Sequence, residues 1–170
     1  MMTQLIQEFP RFFNYYNLLF LAQAVGTTIA LSAIGCLFGL LFGCLISTVR
    51  LTDKPWLAPL RWIALLFTEF FRRVPFLVTL MLIFFLFQLS GANLPLFVVA
   101  SLSVTLIASA FLAEIIRAGL LSIHRNQWDA ATAMNFGLLQ SIRYVVLPQA
   151  WKIILPPAFG FFVMFIKDTA

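Results

Sequence analysis

The 170-residue chain is 62% hydrophobic and only 10% charged, whereas soluble domains run at roughly half apolar and a quarter charged. That excludes an ordinary soluble domain and predicts an all-α integral membrane protein, since lipid requires the backbone to satisfy its own polar groups. The net charge of +5 then belongs with basic loops at a membrane surface and not with a nucleic-acid surface.

Residues 1–17 (MMTQLIQEFPRFFNYYN) lack the basic start, continuous apolar core and small-residue cleavage site of a signal peptide. Their rings, at Phe9, Phe12, Phe13, Tyr15 and Tyr16, predict an amphipathic interfacial lead to a membrane domain spanning 18–170. The first spanning helix is predicted over 18–49, longer than the ~20 residues a crossing needs. Gly35, Gly39 and Gly43 recur every fourth residue within it, which predicts a close helix–helix seam. Cys36 and Cys44 fall in the same span with no metal-binding spacing, and read as small packing residues.

Arg50–Arg61 is a polar hinge, and Trp62–Phe71 reads as an interfacial helix or the foot of the next span. Glu69 lies three and four residues from Arg72 and Arg73, within helical pairing reach of both. Pro75 is expected to kink the chain as it enters the bilayer. The second span is predicted over 74–89, the turn over 90–95 (SGANLP) and the third span over 96–116. Glu114 and Arg117 sit three apart at its end, again a self-pairing arrangement.

Asn126–Pro148 reads as a short helical hairpin. Asn126 is expected to cap its first helix and Asp129 to sit in the first turn. Ala130, Ala131 and Ala133 give that helix a flat surface, which another backbone can approach closely. Asn135 is a stop, because Asn tolerates left-handed backbone. Gly137 opens a second short helix over 138–146, which Pro148 is expected to end. A fourth apolar span, 151–166, is expected to be interrupted early by Pro156 and Pro157. This makes four transmembrane helices.

Nine of the 11 basic residues lie in two hinges, 50–73 and 117–152. Basic loops stay in the cytoplasm, so both hinges are expected inside, and the N-terminus and residue 170 outside. No catalytic set stands out. His124 is the only histidine, there is no GxxxxGK[ST] phosphate loop, and no Cys/His cluster offers a metal site. A chain without a nucleotide site, cofactor or metal of its own is therefore expected, not an enzyme.

Asp129-Ala130-Ala131, three residues, Asn135, nine residues, Val145, one residue and Leu147-Pro148 resemble the EAA loop of bacterial ABC-importer permeases. The segments at 69–78, 113–119 and 167–169 are similar to those of the polar amino-acid uptake subfamily. Asp129, Asn135 and Val145 replace that pattern's Glu, Gly and Ile. The resemblance implies a multi-pass permease of the bacterial inner membrane, forming the path of an ATP-driven importer for a polar amino acid. Its implied partners are a cytoplasmic ATPase dimer, a second permease subunit, the same or homologous, and an extracytoplasmic solute-binding protein. It assigns ATPase coupling to Asp129, Ala130, Ala131, Asn135, Gly137, Leu147 and Pro148. It also implies a fifth span after residue 170, so the chain is expected to be a C-terminally truncated one. The alternative is an ATP-independent channel or structural membrane subunit. DNA reading by the hairpin is disfavoured, because its reading positions are Ala and Thr and it sits between membrane spans. Neither the solute nor its contact residues follow from the sequence.

Overall fold

The computed structural model describes residues 14–52 and 54–169. The expectation for the N-terminal lead therefore lies mostly outside the described residues, and only its last residues, from Tyr15 on, enter a helix. Among the described residues, seven α-helices follow in order: α1 (Tyr15–Arg50), α2 (Ala58–Arg73), α3 (Phe76–Leu89), α4 (Leu96–Leu121), α5 (Arg125–Ala133), α6 (Leu138–Ser141) and α7 (Leu147–Thr169). A 3₁₀ turn at Pro55–Leu57 precedes α2, and a π turn at Ile142–Val146 joins α6 to α7. No strand occurs among the described residues.

The glycine pattern determines how the bundle packs. A Cβ at Gly35 would overlap Val104, one at Gly39 would overlap Ala108, and one at Gly43 would lie 3.0 Å from the Ala113 nitrogen. The stripe lets α1 lie directly on α4, as expected. Ser32 and Ser47 extend the buried face. Cys36 packs on the core cluster of Leu31, Val104, Ile107, Ala108, Leu112, Phe161 and Phe165, whereas Cys44 is exposed.

These contacts run in the same direction along both helices, from 35 with 104 to 43 with 113. α1 and α4 are therefore parallel, and the segment between them must return the length of the bundle. α2 and α3 make that return. They meet at 114°, because extended Val74 (ψ 127°) and Pro75 (ψ 146°) leave the helical region. At 14 residues, α3 rises about 21 Å, short of the ~30 Å hydrocarbon core. α7 then runs antiparallel to α4, with Phe161 stacked on Phe111 at 5.0 Å and Ile154 against Gly119. Among the described residues, α1, α4 and the helix ending in α7 are long and apolar enough to cross a membrane, and the bent α2–α3 pair makes a fourth crossing where it is counted as one span. Phe38, Leu41, Phe42, Leu45, Phe85 and Leu86 are among the many exposed apolar side chains, an outer surface suited to lipid.

Two expectations about proline fail. Pro148 does not end a helix, and Pro156 and Pro157 do not interrupt one: 138–169 runs on as one 32-residue helix. At Pro148 the preceding π turn provides the reason. It moves the Leu147 N–H onto the Ile142 carbonyl, five residues back. That shift of register takes up the proline's missing donor and relieves its ring. The third span is also longer than expected, reaching Leu121.

Candidate functional site

The 126–148 segment folds as a helical hairpin at the end of the bundle. Its first helix begins two residues early, at Arg125, and its cap is His124. The Asn126 N–H donates to His124 Nδ1 at 3.3 Å, which corrects the expected capping by Asn126. Asp129 consequently falls in the second turn, too far along for a strong dipole interaction. Asn135 performs the role expected of it, with φ 61°. The Phe136 N–H donates to the Ala131 carbonyl and the Asn135 N–H to that of Thr132, the two bonds of a Schellman stop. The Gly137 N–H donates to Gln140 Oε1 at 3.0 Å, which starts α6.

The alanines of α5 separate onto two faces. Asn126, Asp129, Ala130 and Ala133 recur at helical spacings and are all exposed, next to Met134 at 61% exposure. Asp129 makes no hydrogen bond or ion pair among the described residues. Ala131 turns the other way and is 1% exposed, where α5 lies on the π turn. Its small size brings the hairpin's own layers together. Gly137 and Pro148 are exposed, and Leu147 opens α7 at 40% exposure.

The hairpin is fastened to the bundle. Gln149 Nε2 donates to Gln127 Oε1 at 3.1 Å and to the Val145 carbonyl at 2.9 Å. Trp128 and Leu138 pack on a second core cluster of Ile116, Leu120, Ile142, Val146, Ala150 and Ile154. The two helices of the hairpin and the last two long helices thus share one apolar centre.

An ionic cluster lies where α1, α2 and α4 meet. Glu114 pairs with Arg117 as expected. It also accepts from Arg50 Nη1 at 2.6 Å, and the same nitrogen donates to Thr68 Oγ1 at 3.1 Å. Arg50 was not anticipated as a partner, since 64 residues separate it from Glu114. Glu69 pairs with Arg73 at 2.9 Å. Arg72 instead lies over the Phe111 ring, 5.7 Å from its centroid. The break at Val74–Pro75 opens a cleft of about 230 Å³ there, lined by Arg72, Ile107, Phe111, Phe165 and Asp168 among others. No group of three His, Cys, Asp or Glu among the described residues is placed to hold a metal.

Known proteins share this architecture. The profile of the family described as binding-protein-dependent transport system inner membrane component matches residues 37–170. The probable amino-acid ABC transporter permease protein YckA of Bacillus subtilis (strain 168) is 32% identical over 151 residues, covering 89% of this chain and 66% of its own. The L-cystine transport system permease protein TcyB of the same organism is 31% identical, covering 88% and 63%. The glutamine transport system permease protein GlnP of Escherichia coli (strain K12) is 33% identical, covering 88% and 68%. The chain thus spans 63% to 68% of the length of these three relatives. Among solved structures, an amino acid ABC transporter crystallised with histidines is 28% identical with a TM-score of 0.76, covering 92% of this chain and 73% of that one. The MetNI methionine ABC transporter, inward facing, shares the fold at 23% identity, with a TM-score of 0.76 over 91% and 73%. The chain belongs to the family of binding-protein-dependent transport system inner membrane components.

Proposed function

We propose that this chain is the permease subunit of an ATP-driven importer, and that the exposed face of α5 couples it to a cytoplasmic ATPase. The observation that carries this reading is the outward face of Asn126, Asp129, Ala130 and Ala133 on a hairpin braced to α7. Small side chains allow a partner's surface to approach the helix backbone. The free Asp129 carboxylate offers that partner a charge. The brace keeps a push on the hairpin from being lost in a floppy loop. In this reading both hinges face the cytoplasm, the N-terminus faces outward, and a second permease subunit and a solute-binding protein complete the importer.

A polar amino acid is the proposed solute. The names of the relatives support this class, and so does the cleft at the α2–α3 break. It holds charges of both signs, Arg72 and Asp168, beside the Phe111 and Phe165 rings. A carboxylate and an ammonium group find complementary partners there. In vesicles carrying the full transporter, Asp168→Asn should raise the KM for uptake of glutamine or cystine while ATPase co-purification stays intact. An unchanged KM would remove the cleft from the pathway.

The coupling test uses the two faces of α5. Ala130→Arg places a bulky charge outward, and the purified variant should keep its thermal stability yet lose a co-purifying ATPase. Ala131→Arg should instead lower the melting temperature, because it drives a charge into the hairpin's interior. If Ala130→Arg keeps full ATPase binding and transport, the coupling reading fails. A wild-type preparation that is stable yet never brings down an ATPase would favour an ATP-independent channel or structural subunit.

A further inference from the structure

A separate cavity of about 240 Å³ opens at the hinge end of the bundle, lined by Arg50, Arg61, Trp62, Leu65 and Arg117. Three of its five lining side chains are guanidiniums. Among the described residues, the one carboxylate paired with any of them is Glu114, shared between Arg50 and Arg117. Arg61 donates to the Thr52 carbonyl at 3.4 Å and pairs with no described acid. Positive charge is in excess, and would remain so even if Asp53, outside the described residues, were set against it.

The cavity is also organised before any ligand arrives. The Arg50 side chain is only 9% exposed, and Glu114 and Thr68 hold its Nη1. Glu114 fixes Arg117 through two nitrogens. Little side-chain freedom is left for a ligand to freeze out. Guanidinium groups in such a fork match an acceptor with several oxygens around one centre.

The outer wall is apolar. Trp62 is 62% exposed, and Ile63 and Leu66 beside it on α2 are 63% and 62% exposed. An indole at the edge of a basic pocket is what the boundary between head groups and acyl chains favours. We propose that this cavity binds a phosphate group, and that its occupant is the phosphodiester of an anionic phospholipid whose chains lie along Trp62, Ile63 and Leu66. A free phosphate ion would meet the same guanidiniums but make no use of the apolar wall, so the two sources can be separated.

The test places the full-length protein in phosphatidylcholine vesicles. They carry a minor fraction of either dibromo-phosphatidylglycerol or dibromo-phosphatidylcholine. Trp62 emission is read as the difference between wild type and Trp62→Phe. The brominated phosphatidylglycerol should quench it roughly twofold more than the phosphatidylcholine. Arg61→Gln should abolish that preference, and because Arg61 takes no part in the Glu114 pairs, the fold should survive its loss. Lys152→Gln removes the same charge away from the cavity and should leave the preference intact. Inorganic phosphate at about 10 mM is added to plain phosphatidylcholine vesicles in parallel. If it raises the melting temperature of wild type but not of Arg61→Gln, with no lipid preference, the phosphate site stands and its ligand is soluble. Equal quenching by both lipids with no phosphate effect overturns the proposal. So does a Lys152→Gln variant that loses the preference as fully as Arg61→Gln.

Discussion

Glu114 holds two arginines at once, one from its own helix and one from the end of α1. The three side chains are between 9% and 28% exposed, so water can replace only part of what Glu114 provides. Glu114→Gln should therefore destabilise the protein by about 2–3 kcal/mol, because it leaves two positive groups facing each other. Arg117→Gln should cost about 1 kcal/mol, since Glu114 keeps its bond to Arg50. Unfolding in detergent micelles would show the order, and an Arg117 variant as unstable as the Glu114 variant would refute it. Half of this cluster was legible in the sequence. The pair three residues apart follows from helical geometry alone, whereas the Arg50 contact exists only once α1 has packed on α4. The hairpin divides in the same way. The Asn135 stop needs only local backbone chemistry, but the burial of Ala131 depends on where the π turn lies beneath it. The alanine run showed that something approaches closely without showing which alanine meets the protein's own interior.

The α1–α4 seam is the element most sensitive to a single methyl group. Gly39 faces the Ala108 side chain and backbone, and a Cβ there would also lie 3.1 Å from the Ser109 nitrogen. Gly39→Leu should destabilise by about 1–3 kcal/mol or force the helices apart. Gly26→Leu should be tolerated, because nothing lies within 4 Å of a Cβ at that position. Equal melting temperatures for the two variants would show that the seam does not depend on small residues. This seam could be read from the sequence because close packing in lipid requires small residues at every fourth position, a pattern contained in one helix. The helix breaks were harder. Pro75 breaks the chain where Val74 turns extended, yet Pro148, Pro156 and Pro157 sit inside a continuous helix. Whether a proline ends a helix depends on whether its lost donor and its ring are accommodated, and at Pro148 the π turn does both.

At the scale of the molecule, the parallel run of α1 and α4 places the 90–95 turn and the α5 hairpin at opposite ends. In a background with Cys36→Ala and Cys44→Ala, Ala92→Cys should react with a membrane-impermeant maleimide on intact cells. Ala133→Cys should react only after permeabilisation. The reverse pattern would invert the proposed orientation. The unbroken helix from Leu138 to Thr169 also has a mechanical meaning. At 32 residues it is a rod about 48 Å long. Its close contact of Ile154 with Gly119 falls near its midpoint. A rod pivoted at its centre is a seesaw with a ratio of one. Any tilt that carries the hairpin end one way carries the Thr169 end, where Ser32 meets it at 2.9 Å, an equal distance the other way.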